Sequence, residues 1–156
     1  MDKSAMTEAM KTSISEVLEQ MFFMPLDFIA PDAAAETPEA GGASIIAKLG
    51  FSGSLTGTFV LRMPSFLARS VSADFLGTAR SKLSDDDVTG TVLEMVNMLA
   101  GCALSVYDCR ALFDLQIPQL IGRQDTGGLT EQHSGGITIR IQTPESRMTF
   151  QLIIQE

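Results

Sequence analysis

The 156-residue chain has a single histidine, two cysteines, and 11 basic residues against 19 acidic ones. Each shortage removes a class of function. The basic residues are scattered, and with a net charge of −8 and a pI of about 4.5 the chain repels phosphate backbones and anionic lipid, which excludes nucleic acid as a partner. The N-terminal MDKSAMTEAMKTSISEVLEQMFF mixes charge with apolar residues throughout. It provides neither the apolar core of a signal peptide nor a membrane span, so a cytoplasmic protein without membrane association is expected. Cys102 and Cys109 lie seven apart, the first inside a predicted helix and the second just beyond it. They read as free thiols in a reducing compartment rather than as a disulfide. His133 falls in a polar loop and reads as solvated, and no His/Cys spacing suits zinc. GFSGSLTG lacks the Gly-Lys-Ser/Thr ending of a phosphate loop and fits a hairpin turn better.

What is present suits one domain over residues 1–156: 45% of the residues are hydrophobic and 19% charged, enough for an ample core. Met6, Met10, Ile14, Val17, Leu18 and Met21 recur at helical spacing, predicting an amphipathic helix from Thr7 to Phe22 that Pro25 helps to end. LDFIA is a short apolar run. Residues 31–43, PDAAAETPEAGGA, have no periodicity and read as a mobile surface loop. SIIAKLGF and GTFVLRM flank a turn with Gly53 and Gly57, predicting an antiparallel hairpin. Pro64 opens a helix to about Phe75. In LSDDDV, Ser84 and Asp87 have capping-box spacing, and three consecutive acids favour a helix N-terminus, predicting a long helix from about Asp85 to Val106. Those acids point in different directions on a helix, so capping explains them better than a cation site. ALFDLQIP, GITIRIQT and RMTFQLIIQ complete the strands. Helices on a largely antiparallel sheet, an α+β fold, follow from this order.

The long helix carries an unusual outer stripe. With Glu94 as origin at 100° per residue, Asp87, Gly90, Thr91, Asn97, Met98, Gly101 and Ser105 fall within about 60° of it. Val88, Val92, Met95, Val96, Leu99 and Ala103 cover the opposite, core side. Glu94 and Asn97 therefore face solvent within side-chain reach of each other, bracketed by Gly90 and Gly101. Each glycine costs roughly 1 kcal/mol relative to alanine inside a helix. Two readings account for them: bare backbone that lets another surface approach, with Met98 as an adaptable contact, or relief of crowding against the protein's own loops.

Thr12, Glu16, Glu19 and Phe23 repeat the spacing of Gly90, Glu94, Asn97 and Gly101 at an offset of 78 residues. Half the chain length separates the two sets, which predicts an internal duplication into halves of about 1–78 and 79–156 with a pseudo-twofold axis. The first copy has Glu19 in place of the amide and Phe23 in place of the second glycine.

EMVN followed by MLAG, then a strand ending LQIP at Pro118, together with EVLEQMFFMPLDF and GFSGSLTGTFVLRMP, resembles the CheC/CheX/FliY family of bacterial chemotaxis phosphatases. The likeness spans nearly the whole chain and leans toward the CheX branch, because only the later helix has the full Glu/Asn pair. The family pattern has Asp or Ser where this chain has Gly90, and a slightly longer interval to the proline. The resemblance implies a CheC-like α+β fold and dephosphorylation of the aspartyl phosphate on a CheY-like receiver. It implies Asn97 positioning the attacking water and Glu94 pairing with a receiver lysine; the wheel places Asp87, Gly90, Thr91, Met98 and Gly101 beside them as the expected partner contacts. It also implies no cofactor of its own, the divalent metal, Mg2+, being supplied by the receiver, and a homodimer formed through the edges of GITIRIQT and RMTFQLIIQ. A carboxamide can hold water in line, as a glutamine does in GTPases. Two alternatives stay open: a non-catalytic module that binds receivers or flagellar switch components through the same face, and a purely structural oligomerisation domain.

Overall fold

The structure, a computed structural model, describes residues 1–30, 43–121 and 136–155. Most of the 31–43 loop, and the polar loop that carries His133, lie outside the described residues. Helix α1 (Lys3–Ile14) runs on into a π-helical segment, Ser15–Met21. Strand β1 (Asp27–Phe28), the hairpin β2 (Ser44–Gly53) and β3 (Gly57–Pro64), and α2 (Ser65–Leu76) complete the first half. The second half holds α3 (Asp85–Tyr107), the short strands β4 (Phe113–Leu115) and β5 (Gln119–Leu120), and the hairpin β6 (Ile137–Gln142) and β7 (Arg147–Ile154). Helices on one antiparallel sheet are the α+β architecture expected.

The strand order is β1-β6-β7-β3-β2-β4, with β5 also on β2, and each of these pairings is antiparallel. It is symmetric about the β3–β7 pair. Each half contributes one hairpin, and the outer strand of each hairpin is flanked by a short strand from the other half, β4 on β2 and β1 on β6. The period-2 pattern of the strands decides which face is buried. Ile139, Phe150, Leu61 and Ala47 are aligned across four strands, as are Ile137, Leu152, Phe59 and Leu49, and all eight are buried. The rings of Phe59 and Phe150 stack with centroids 5.2 Å apart.

The helices close this core. Val88, Val92, Met95, Val96, Leu99 and Ala103 are buried, as the wheel requires. By length and composition α3 could cross a membrane, but half of its apolar window is buried inside the protein, which makes it the core helix. The buried Ser13 hydroxyl donates to Leu99 O at 2.7 Å and ties α1 to α3. Between the hairpin strands, Gly53 has φ 151°, and a Cβ there would meet Leu112 O at 2.6 Å. Glycine is required at that position for both reasons.

Three expectations are corrected. The first helix changes to π geometry at Ser15, so Thr12, Glu16, Glu19 and Phe23 do not form a straight stripe. The i to i+5 turn instead lets Val17, Leu18 and Phe22 be buried together. Phe23 lies beyond the helix in the left-handed region at φ 54°, which costs a bulky residue about 1–2 kcal/mol, and its side chain is 70% exposed. Second, Pro64 is the N-cap of α2 rather than part of its first turn. Third, RMTFQLIIQ has no free edge, because β7 lies between β3 and β6; among the described residues GITIRIQT keeps most of its outer edge, since β1 pairs only with Ile141 and Gln142 of β6. The long-range β3–β7 pairing, which a local pattern does not reveal, makes β7 central and, among the described residues, leaves β1 and β4 as the end strands.

Ser84 caps α3 as expected, its hydroxyl accepting from Asp87 N at 3.0 Å while the Asp87 carboxylate accepts from Ser84 N at 3.0 Å. Ser84→Ala is expected to lower stability by about 1 kcal/mol, a fall of about 2–4 °C in Tm for a chain of this size. Thermal unfolding followed by circular dichroism checks this, and an unchanged Tm would show that the box contributes nothing.

Candidate active site on the outer face of α3

Anchored by its cap at one end and by Val88 to Leu104 along its buried side, α3 presents Glu94 exposed and Asn97 half-buried, one turn apart. Among the described residues neither side chain has a hydrogen-bond or ion-pair partner, whereas Asp87 nearby is committed to the cap. The helix thus holds an acid and an amide on a fixed backbone with their bonding capacity unspent. The surroundings of the pair differ at its two ends. A Cβ at Gly90 would meet nothing within 4 Å, while one at Gly101 would lie 3.7 Å from Leu115 Cδ1. Gly90 therefore leaves bare backbone open to solvent. At Gly101 a Cβ would be in ordinary contact with Leu115 of β4, so neither glycine is needed to relieve crowding.

Two expected contact residues sit differently. Thr91 is buried at 3% exposure, its hydroxyl donating to Asp87 O at 2.9 Å. It stood at the 60° boundary of the stripe, and the flanking elements cover that boundary. Met98 is half-buried and packs on the core, so at most its tip is available. Pro118 is half-buried between β4 and β5. That stretch is held to β2 by Gln116 N to Gly50 O at 2.8 Å and Ile121 N to Ile46 O at 2.9 Å.

Sequence reasoning did not anticipate the neighbour of this strip on the first helix. The Cys102 thiol donates to Glu16 Oε2 at 3.4 Å. Burial, first, and then the nearby Glu16 carboxylate push the thiol pKa above its ordinary value, outweighing a hydrogen bond with Ser13 that lowers it. Glu16, the counterpart of Glu94, is engaged with α3 through this contact. The exposed run Leu112, Leu115 and Ile117 beside the strip was also missed; its strand periodicity is too short to reveal a face. Among the described residues no group of three His, Cys, Asp or Glu side chains is placed to hold a metal.

With this geometry in hand, comparison with known proteins is decisive at one level. Residues 45–142, more than half of the chain and including α3, match the family described as chemotaxis phosphatase CheX. The chain belongs to the CheX family. CheX-family structures share its fold over almost their entire length. A chain of the CheX-CheY-BeF3-Mg2+ complex from Borrelia burgdorferi superposes with a TM-score of 0.76 at 18% identity, covering 96% of this chain and 97% of that one. CheX from Vibrio vulnificus gives 0.73 at 19% identity, with 96% of each chain covered. FliY from Thermotoga maritima gives 0.59 at 13% identity, covering 99% of this chain and 91% of that one. Comparison with curated protein sequences found no match.

Two outcomes follow from the local geometry. Gly90→Ala should stabilise the CheX-family chain by up to about 1 kcal/mol, because helix propensity improves and nothing is displaced; urea unfolding checks the sign. The Cys102 thiol has its pKa raised on folding, so its contribution to stability is complete below the unfolded value and is lost as pH rises through the folded one. Exposed Cys109 is then expected to alkylate before Cys102 with iodoacetamide near about pH 8, with peptide mass mapping as the readout. Faster modification of Cys102 would contradict the burial assigned to it.

Proposed function

We propose that this CheX-family protein dephosphorylates a CheY-like receiver in the cytoplasm, with Asn97 as the water-positioning residue and Glu94 as the docking acid. The observation that carries the reading is the unpartnered Glu94/Asn97 pair on a rigid, solvent-facing helix beside the open backbone of Gly90. An aspartyl phosphate already reacts with water, so a catalyst can act by placing that water in line with phosphorus. The Asn97 carboxamide oxygen accepts a hydrogen bond from the water, and its NH2 group is free to donate to a phosphoryl oxygen. Half-burial limits its rotamers and so holds that geometry. The carboxylate of Glu94, exposed one turn away, pairs with a receiver lysine and fixes the register of the docked surfaces. Mg2+ is expected on the receiver, not on this chain. The family match and the similarity to a complex of CheX with CheY support this reading.

The test is the decay of a phosphorylated CheY-like receiver with Mg2+ present. Wild type should accelerate it, and Asn97→Ala should remove about 100-fold of the acceleration while leaving docking nearly intact. Glu94→Ala should act chiefly by raising KM. Gly90→Ala, though more stable, should also raise KM if the bare backbone is a contact. The second reading is a receiver-binding module without turnover, which would use the same helix face. Binding of the phosphorylated receiver with an unchanged decay rate would establish that reading and remove the catalytic one.

We further propose a homodimer through the β4 edge. Among the described residues β4 ends the sheet, and Leu112 and Ile117 beside it are 93% and 83% exposed, an edge that invites pairing. The symmetric strand order also supports descent of the two halves from a duplicated unit. Light scattering at micromolar concentration should give a dimer mass for wild type and a monomer mass for Leu112→Asp. A monomeric wild type would remove the dimer.

A further inference from the structure

Away from α3, the π-helical segment ends against α2 and the β6–β7 turn around a small surface pocket of about 100 Å³. Its floor is core: Phe22, Met24, Leu67 and Val71 are buried, and the Phe22 ring stacks on Phe75 with centroids 4.6 Å apart. A floor built this way is preformed. Its wall is Phe23, the only described non-glycine residue at positive φ. The backbone bond Met24 N to Leu18 O at 2.9 Å closes the helix end there in the manner that favours Gly or Asn at the left-handed position. A phenylalanine in that conformation with its ring 70% exposed gains little for its own fold.

The rim is acidic. Asp74 and Glu145 both line the pocket. Glu145 is answered by Arg80 at 3.3 Å and by the Ser70 hydroxyl at 2.9 Å, but among the described residues Asp74 has no ion-pair or hydrogen-bond partner. An apolar cavity of about 150 Å³ admits benzene, so this one suits a single side chain the size of leucine or methionine.

We propose that this pocket is a docking site for a protein segment that inserts one aliphatic side chain beside Phe23 and places an adjacent Lys or Arg on Asp74. No lining residue belongs to α3, so the site is independent of the Glu94/Asn97 strip. Exposure of the rim limits the charge contact to a few-fold in affinity, and the aliphatic insertion supplies the rest.

The full chain, labelled with 15N, is titrated with acetyl-Arg-Leu-Arg-amide, acetyl-Arg-Gly-Arg-amide and acetyl-Glu-Leu-Glu-amide. The first should shift the amides of Phe23, Val71 and Asp74 saturably, at least fivefold more tightly than either of the others. Asp74→Asn should weaken it about two- to fivefold. Phe23→Asn relieves the backbone and removes the wall, so Tm should hold or rise while peptide affinity falls at least fivefold. Equal response to all three peptides, shifts confined to other surfaces, or a Phe23→Asn variant that binds as wild type would overturn the proposal.

Discussion

The pairing of β3 with β7 is the constraint on which the rest depends. Six residue pairs, Gly57↔Ile154 to Arg62↔Thr149, join residues at least 87 apart in the chain, and without them neither half has a sheet wide enough to bury its helix. A lone two-stranded hairpin is marginal in water. The pairing also sets the register that aligns Ile139, Phe150, Leu61 and Ala47 across the sheet, a buried row that the helices cover, with α1 packed on β6 and α3 on β2 and β3.

From that side the functional reading follows with few additional parts. The helix is held by hydrophobic burial along Val88 to Leu104 and by its cap. Exposed Glu94 and half-buried Asn97 need no internal hydrogen bonds, because solvent reaches both. In the proposed reaction the chemistry sits on a helix face, and exclusion of water falls to the receiver.

Much of this was legible in the sequence because it rests on local signals. The 3.6-residue period gave the buried side of α3 residue by residue, and Ser84 and Asp87 marked its start. Glu94 and Asn97 emerged as outward-facing from the same wheel. What was not legible depends on contacts between distant segments. Thr91 lay on the boundary of the wheel, and only the neighbouring elements decide which way a boundary residue falls. A free edge was expected for RMTFQLIIQ as well as for GITIRIQT, but β7 lies centrally through its pairing with β3, and alternation alone is the same for a central and an edge strand. The π-helical segment escaped because its apolar residues satisfy an α-helical template equally well up to Leu18, and only the left-handed Phe23 shows that the turn has widened.

Gly101 and Leu115 line one surface pocket, and a Cβ added at Gly101 would come into ordinary contact with Leu115 Cδ1 at 3.7 Å. The next helical turn toward the N-terminus from Gly101 is Asn97. The glycine thus leaves a gap between the end strand of the sheet and the helix one turn from the amide, space that any side chain at position 101 would fill.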